Sequence, residues 1–398
     1  MIYTLRPYQQ RASDAGVQYF LDEDRKHNAL IVASTGCGKS LIIADIAARL
    51  NEKVLVFCPS KEILEQNYRK MATYGIPCSM YSASVNKKEI SQITFVTIGS
   101  VKNEADLFKE FKYIMIDEAH LVNPKRGMYK KFLSVMKRKV LGLTATPYRL
   151  ETDTKMDWES KKFESATSKL VMLTAYKRPV FREIICNIEA SELMEQGYLS
   201  KMRYFHLPPP NWQEGKLFKN TTGSDYTDQS VRKMFKTTNF KAYLLSIIRR
   251  LMSPKDGKER NGILVFTRFV EDAQYIARQI DGAAYISGAM SKTERERVLK
   301  DFEEGRVKVL ANAGVLIVGY DRPDLDTVLL ATPTLSLARY YQEIGRALRI
   351  SPQKDEGWIV DLCGNLKRFG VISDLNMRQC KNGWEVFSKD RQLTSVEL

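Results

Sequence analysis

Short apolar runs alternate with amphipathic stretches through the first part of the chain. Five runs have the length and the β-branched or aliphatic character of buried strands: ALIVA, VLVFC, ITFVT, YIMID and KVLGL, at 29–33, 54–58, 93–97, 113–117 and 139–143. Between the first two, residues 40–50 (SLIIADIAARL) place apolar side chains at helical spacing. Strands and helices in repetition predict a parallel sheet covered by helices on both faces.

The alternation stops between Glu151 and Gly257 and then resumes. Charged and polar residues dominate this segment, and the run Pro208–Pro210 favours extended backbone, so we expect a connection between domains that contains some helix. Strand-like runs recur at 262–266, 283–286, 307–311, 327–331 and 358–362. A capping-box pattern at Ser291–Glu294 predicts a helix that ends near Glu304. The second half is therefore predicted to be another parallel α/β domain.

Composition agrees with two domains and adds a charge signal. The 398 residues exceed the roughly 250–300 at which single cores stop growing, and a hydrophobic content of 44% excludes disorder as the main state. Lysine and arginine number 62 against 47 acidic residues, a net charge of +15 that favours a polyanionic partner. A basic surface kept for solubility is the alternative.

Membrane insertion and metal-stabilised folding find no support in the sequence. No run approaches the roughly 18–20 uncharged apolar residues that span a bilayer, and the first ten residues lack the apolar core of an export signal. The six cysteines include no CxxC pair, which predicts reduced thiols and no structural zinc. We expect a cytoplasmic protein without a membrane partner.

A glycine-rich turn follows the first predicted strand. Residues 34–40 read Ser-Thr-Gly-Cys-Gly-Lys-Ser and lead directly into the predicted helix. Consecutive backbone N–H groups in such a turn face a phosphate, and the helix N-terminus adds its positive pole. Lys39 is expected to reach the β- and γ-phosphates and Ser40 to hold Mg²⁺. Ala33 stands where the motif GxxxxGK[ST] has its first glycine, and a chance surface turn is the alternative.

Two adjacent carboxylates end the strand YIMI, 78 residues after Lys39. Asp117 in this position can reach Mg²⁺ beside the phosphates, and Glu118 can orient and deprotonate the attacking water. Solvated loop carboxylates are the alternative. The pair predicts an ATP hydrolysis site that requires Mg²⁺.

The order of motifs resembles superfamily 2 helicases of the DExH (DEAH-box) class over residues 2–365. In that resemblance, Leu5–Gln9 precedes the phosphate loop and reads adenine, which implies Gln9 as the contact to the base and Arg6 as a further nucleotide-binding residue. The remaining nucleotide contacts implied are Thr35, Gly36, Cys37, Gly38, Lys39, Ser40 and, in the motif V segment, Gly319 and Asp321. QxxGRxxR at 342–349 implies Gln342, Arg346 and Arg349 as catalytic residues, the arginines neutralising charge on the transferred phosphoryl group.

The same resemblance implies contacts with a nucleic-acid strand. Motif Ia provides Pro59 and Lys61, and motif Ib provides Thr97, Gly99 and Ser100. Motif IV provides Thr267 and Arg268. Thr144 and Thr146 of the TATP motif are implied to couple the state of the bound nucleotide to binding of the nucleic-acid strand. His120 either shares that role or makes a structural hydrogen bond.

Two tandem RecA-like domains are therefore expected, with one ATP site divided between them. The expected boundaries are an ATP-binding domain at 1–190, a linker at 191–260, a C-terminal helicase domain at 261–367 and a short tail at 368–398. We expect a monomeric DNA helicase or translocase, with DNA favoured over RNA and protein partners in repair, recombination or replication. The alternatives are an ATPase that remodels or switches without unwinding, and the motor of a nuclease or restriction complex.

Within the superfamily, four short segments look most like those of RadD-type DNA-repair helicases, and the XPB branch and restriction-enzyme motors are the nearest other groups. The segments are LGLTATPYRL at 141–150, Gly197–Ser200, motif V (GVLIVGYDRP at 314–323) and Asp361–Asn365. RadD-type proteins continue into cysteine-rich zinc modules, whereas only Cys363 and Cys380 are available here. The resemblance therefore implies a compact motor, bacterial or encoded by a virus or plasmid.

Overall fold

The computed structural model describes residues 3–157, 162–254, 257, 259–260, 262–315 and 322–397. They form two units, the first made of Met1–Arg149, Val171–Leu193 and Met377–Val386, the second of Leu150–Leu170, Met194–Asn376 and Phe387–Leu398. No helix within the described ranges combines the length and apolar character needed to cross a bilayer.

Most elements of the first 188 residues build one sheet and its helices. In chain order they are α1 (Pro7–Leu21), β1 (Ala29–Ala33), α2 (Lys39–Leu50), β2 (Val54–Phe57), α3 (Lys61–Ala72), β3 (Cys78–Ser82), β4 (Lys87–Lys88), β5 (Ile93–Val96), α4 (Ile98–Val101), β6 (Tyr113–Asp117), α5 (Met128–Met136), β7 (Val140–Thr144), β8 (Tyr148–Asp157), β9 (Lys162–Met172) and β10 (Glu183–Ile188). The eight-stranded sheet has the order β10-β1-β7-β6-β2-β5-β3-β4, and only β3 and β4 pair antiparallel. Strands β8 and β9 form a separate two-stranded sheet.

The remaining elements build a second, wholly parallel sheet and a small antiparallel pairing. They are α6 (Ala190–Glu195), β11 (Met202–His206), α7 (Asp228–Thr237), α8 (Phe240–Met252), β12 (Ile263–Thr267), α9 (Val270–Gln279), β13 (Ala283–Ser287), α10 (Lys292–Glu303), β14 (Val309–Ala313), β15 (Thr327–Ala331), α11 (Leu337–Ile344), β16 (Gly357–Asp361), α12 (Asn365–Phe369), β17 (Leu375–Cys380), β18 (Gly383–Ser388) and β19 (Arg391–Gln392). The six-stranded sheet has the order β11-β16-β15-β12-β14-β13. Strands β17, β18 and β19 form a three-stranded sheet within the segment expected to be a tail.

The prediction of two parallel α/β domains is confirmed, because all ten strand-like runs became strands of these sheets. Strands β1, β6 and β15 have the predicted bounds, and the others start or end one or two residues away. Helix α10 starts as the capping pattern indicated, with Ser291 Oγ accepting a hydrogen bond from the Glu294 N–H at 3.2 Å. Since neighbouring strands run parallel, their carboxyl ends meet at one edge of each sheet.

Two edge strands were missed in the segment expected to be a connection. Strand β10 closes one edge of the first sheet, and β11 closes one edge of the second. Both are only partly buried, whereas every residue of β1 is buried. Edge strands need no continuous apolar run, because they pack against one neighbour and keep one side open.

Gly142, in the middle of β7, allows the turn after β6 to approach the sheet closely. A Cβ at this position would lie 2.6 Å from Ala119 Cβ, 2.7 Å from Leu30 Cδ2 and 2.8 Å from Phe181 Cε1. All three neighbours are fully or almost fully buried. A side chain here must therefore displace packed core atoms.

Gly142→Ala should destabilise the protein by about 1–3 kcal/mol, the cost of overpacking a filled core. Urea unfolding of the full chain measures the shift of the unfolding midpoint. Gly99→Ala is the matched control, since a Cβ there meets no atom within 4 Å. Equal midpoints for the two variants would contradict the packing account.

Candidate functional site

The loop after β1 takes the conformation that its glycines permit. Gly36 and Gly38 have φ of 82° and 84°, in the left-handed region that favours glycine, and α2 begins at Lys39. A Cβ on Gly38 would also lie 2.6 Å from Gln9 Nε2. The loop and the first turn of α2 thus have the form of a phosphate-binding loop.

Side chains at the start of helix α1 make hydrogen bonds to the backbone of this loop. Gln9 Nε2 and the Tyr8 hydroxyl both donate to the Cys37 carbonyl, at 2.8 and 3.0 Å. Gln9 Oε1 accepts from the Arg6 N–H at 3.0 Å. Gln9 keeps one further N–H and one lone pair with which it can contact adenine. This contact and the nucleotide contact of Arg6 remain predictions. Tyr8 was not singled out from the sequence.

Lys39 and Glu118 face each other where β1 and β6 end. Lys39 Nζ lies 3.7 Å from Glu118 Oε1 and donates to the Ala33 carbonyl at 3.4 Å. Glu118 has φ 53° and ψ 53°, a left-handed conformation that is unusual for a residue with a side chain. Such conformations cluster at functional sites, where the surrounding structure holds them in place.

Glu118 also contacts the residue that the sequence left with two interpretations. His120 Nδ1 lies 3.2 Å from Glu118 Oε2 and 3.0 Å from Thr144 Oγ1, which in turn accepts from the Thr146 N–H at 3.0 Å. A contiguous chain of polar contacts thus joins the segment Asp117–His120, which reads DEAH, to the TATP segment at 144–147. The hydrogen bond between His120 and Thr144 is the one that the structural interpretation expects. The same chain of contacts also provides the route that coupling of nucleotide state to nucleic-acid binding requires.

Asp117 lies buried beside them and has a partner that the sequence did not reveal. Asn67 Nδ2 donates to Asp117 Oδ2 at 3.0 Å, and the Glu118 N–H donates to Asp117 Oδ1 at 3.0 Å. Burial, and next the charge of Glu118, raise the pKa of Asp117 above its usual range, while Lys39 opposes the shift. A cation at this carboxylate would relieve the cost of burying its charge.

The oxygen donors near the loop suit Mg²⁺. Asp117 offers a carboxylate, Ser40 a hydroxyl at the start of α2, and the buried Thr35 Oγ1 has no hydrogen-bond partner among the described residues. Mg²⁺ prefers such oxygens and usually needs only one or two carboxylates, with phosphates and water completing its shell. In the described ranges there is no group of three or more His, Cys, Asp or Glu side chains that could hold an ion by itself.

Asn67 could have been found from its position in α3. The buried residues of this helix are Leu64, Asn67 and Met71, so an amide stands in an apolar register. Such a residue needs a buried polar partner, but sequence alone does not say which.

Asn67→Ala should raise the Mg²⁺ concentration for half-maximal ATPase activity about 10- to 100-fold, the usual cost of losing a residue that orients a metal ligand. Gln66→Ala on the same helix is the control and should leave the Mg²⁺ requirement unchanged. A Mg²⁺ titration of ATPase rate measures both, and an unchanged midpoint for Asn67→Ala would remove Asn67 from this positioning role.

Cys37 is fully buried within the loop. Burial raises the pKa of its thiol, so the reactive thiolate is disfavoured. The burial of Cys37 agrees with its interpretation as a small residue that the loop tolerates.

The residues of the first unit that are predicted to contact nucleic acid lie at the carboxyl ends of strands in the same sheet that carries the phosphate loop. Pro59 and Lys61 follow β2, and Thr97, Gly99 and Ser100 follow the adjacent β5. Thr97 Oγ1 lies 2.9 Å from Ser100 Oγ and 2.7 Å from Ser82 Oγ, while Lys61 Nζ is 3.6 Å from Glu65 Oε1. Their contact with nucleic acid remains a prediction.

Motif IV has internal partners in the second unit. The buried Thr267 hydroxyl lies 3.2 and 3.3 Å from the carbonyl oxygens of Phe269 and Asn312, which share its single proton as acceptors. Arg268 pairs with Asp225 at 2.7 Å and with Asp228 at 2.9 Å. In this conformation both side chains stabilise the fold, and their role in strand binding stays a prediction.

Asp225 links motif IV to the start of the helix that carries Gln342. Besides Arg268, it accepts a hydrogen bond from the Leu335 N–H at 3.3 Å, just before α11. Gln342 is buried on α11, whereas Arg346 and Arg349 are partly buried beyond its end, in and after the 3₁₀ turn Gly345–Ala347. The two arginines are therefore not on a fully solvated helix face. Gly319 and Asp321 lie outside the described residues.

Two family models match the chain. The first, type III restriction enzyme, res subunit, matches residues 2–149, and the second, helicase conserved C-terminal domain, matches residues 243–351. Each matched range contains the motifs quoted above for its half of the chain.

Individual relatives are distant but cover most of the chain. The 51.5 kDa protein of a Lactococcus phage is 25% identical over 335 residues, covering 82% of this chain and 63% of its own length. The DNA 3'-5' translocase XPB2 of Sulfurisphaera tokodaii is 24% identical over 363 residues, covering 87% of this chain and 78% of its own. The chain thus spans less than two thirds of the phage relative.

Among solved structures, the chain is similar to the ATP-dependent type ISP restriction-modification enzyme LlaBIII bound to DNA. The TM-score is 0.67 at 19% sequence identity, over 91% of this chain and 28% of that one. At this identity the likeness concerns the fold, and it agrees with two tandem RecA-like domains.

Proposed function

Because the chain belongs to the superfamily 2 helicases, we propose that it is a nucleic-acid motor that hydrolyses ATP. One observation carries the proposal: Lys39, Glu118 and His120 form contacts of 3.2–3.7 Å beside a phosphate-binding loop, at the carboxyl ends of β1 and β6. Open parallel sheets bind nucleotides at this edge.

The chemistry follows from the charges at that edge. Backbone N–H groups of the loop and Lys39 would bind the phosphates, while Asp117 and Ser40 would hold Mg²⁺. When bound, Mg²⁺ neutralises negative charge on the phosphates. Glu118 would orient the attacking water and accept its proton. Arg346 and Arg349 would stabilise the transferred phosphoryl group during turnover, as QxxGRxxR implies.

DNA is the proposed track, and the chain would translocate along it or unwind it. The net charge of +15 supports a polyanionic partner, and the relatives include a protein named as a DNA translocase. We further propose the DEAH-type subclass, a RadD- or XPB-like role in repair, recombination or replication, and a cytoplasmic monomer encoded by a bacterium or its virus.

ATPase assays with single-stranded DNA, duplex DNA, forked DNA and RNA test the proposal. We expect Mg²⁺-dependent hydrolysis that DNA stimulates and that rising salt suppresses, because phosphate contacts release counterions. No hydrolysis with any of these nucleic acids would refute the motor function.

Two other functions share the same ATP site. A remodelling ATPase would hydrolyse ATP without displacing a strand, so strand displacement on forked and blunt DNA separates it from a helicase. The likeness to a restriction-modification enzyme favours a third function, the motor of a nuclease complex. Copurification with a nuclease chain would support that function.

A further inference from the structure

A long acid-free segment follows the carboxylates of the ATP site. Between Glu118 and Glu151 the chain has no aspartate or glutamate but eight lysines and arginines, at 125, 126, 130, 131, 137, 138, 139 and 149. The ATP chemistry uses none of them. Such a one-sided segment can serve internal contacts, solubility or an anionic ligand, and the contacts of its side chains separate these roles.

Two of the eight cations have internal structural roles. Lys139 Nζ donates to the Tyr19 and Phe20 carbonyls at 3.3 and 3.4 Å, at the end of α1. Arg149 Nη1 donates to the His120 carbonyl at 2.5 Å. Both side chains thus stabilise the first unit, and they leave six cations to explain.

The other six are exposed and lie on α5 and its two flanks. We name them the α5 basic surface: Lys125, Arg126, Lys130, Lys131, Lys137 and Arg138. The opposite face of α5 is anchored in the core by Tyr129, Phe132 and Met136. The packing therefore fixes which face of this helix meets solvent.

Five of these six cations make no ion pair with a carboxylate of the described residues. These five are Arg126, Lys130, Lys131, Lys137 and Arg138, whose contacts are with neutral groups such as Asn103 Oδ1. Two acids in and beside the 3₁₀ turn Ala105–Phe108, which contacts α5, have other cations: Asp106 pairs with Lys109 at 2.6 Å, and Glu104 lies 3.7 Å from Lys88. These five side chains keep their positive charge for a ligand.

Its neighbour in the fold identifies the ligand. Helix α5 packs against α4, whose Gly99 and Ser100 belong to the motif predicted to hold a strand. With nine residues α5 is about 14 Å long, which matches about four phosphates at 3.4 Å of helix axis each. An exposed cationic helix beside a strand-binding motif suits a phosphodiester backbone.

We propose that the α5 basic surface binds phosphates of the nucleic acid beyond the part held by motif Ib. It makes sequence-independent contacts that extend the track over the first unit. The inference rests on the proposed function, since it assumes that nucleic acid reaches α4.

The experiment compares two double variants of the full chain with equal loss of charge. K130Q/K131Q removes two cations from the surface. K53Q/K112Q removes two exposed lysines of the same unit, which pair with Glu110 and Glu52. Thermal unfolding of each variant verifies that it is folded, and Kd for a mixed-sequence DNA duplex and for poly(dT) is measured over a series of KCl concentrations.

Each phosphate contact contributes about 0.9 to the slope of log Kd against log salt on duplex DNA and about 0.7 on a single strand. K130Q/K131Q should therefore flatten the slope by about 1.8 on the duplex and about 1.4 on poly(dT), and K53Q/K112Q should leave it unchanged. Equal slopes for K130Q/K131Q and the natural protein would overturn the inference. If the natural protein binds neither DNA nor RNA, the proposed function itself fails.

Discussion

Glu118→Gln should lower the rate of ATP hydrolysis about 10²- to 10⁴-fold, the usual contribution of a general base. Glutamine keeps the shape of the side chain and its contact with Lys39, but it cannot accept a proton from water. Because Lys39 and the loop remain, the variant should still bind ATP. The approach of Lys39 Nζ to Glu118 Oε1, 3.7 Å, places the carboxylate next to the predicted phosphate site.

Single-turnover hydrolysis and equilibrium binding of a fluorescent ATP analogue separate the two effects. Glu110→Gln, an exposed acid of the same unit, serves as control and should hydrolyse ATP normally. Retained turnover in Glu118→Gln would assign proton transfer to another group. Lost binding would instead show that Glu118 organises the loop.

Arg346→Ala should cost about 10³- to 10⁵-fold in turnover, the range found for arginines that stabilise a transferred phosphoryl group. Arg346 lies in the turn that ends α11, in the second unit, whereas the phosphate loop belongs to the first. Affinity for ATP should therefore change much less than kcat. Lysine should not restore the rate, because an ammonium lacks the planar pair of donors.

Steady-state kinetics at saturating DNA measures kcat and KM separately. Arg306→Ala is the matched control, since Arg306 is exposed in the same unit and pairs with Asp301 and Glu304. A normal kcat for Arg346→Ala would remove this residue from the reaction. A parallel loss of thermal stability would show that its role is structural.

Much of the architecture was predictable because the central strands are buried on both faces. Runs such as ALIVA and YIMID are typical of the buried strands of a covered parallel sheet, where neither face meets water. Edge strands β10 and β11 escaped prediction because half-buried strands tolerate charged and polar residues. Their place was decided by pairing with β1 and β16.

The candidate site divides in the same way. Residues that act through local backbone form, such as the glycines of the loop, could be read from their spacing. Asn67 stands out as an amide in the apolar register of α3, but its role could not be read from spacing, because its partner Asp117 is 50 residues away. Arg268 was predicted to meet nucleic acid, but the structure gives it Asp225 and Asp228, two acids from a segment without a recognised motif.

The amino-acid sequence by itself determined the alternation of strands and helices, the order of the motifs and the excess of positive charge. These depend on side-chain type and local spacing. Only the tertiary structure decided which distant groups meet: Gln9 with the Cys37 carbonyl of the phosphate loop, Asn67 with Asp117, and His120 with Thr144. It also decided that five cations around α5 form no ion pair with a described carboxylate. Such contacts depend on how packed elements orient their side chains, and a linear pattern does not contain that information.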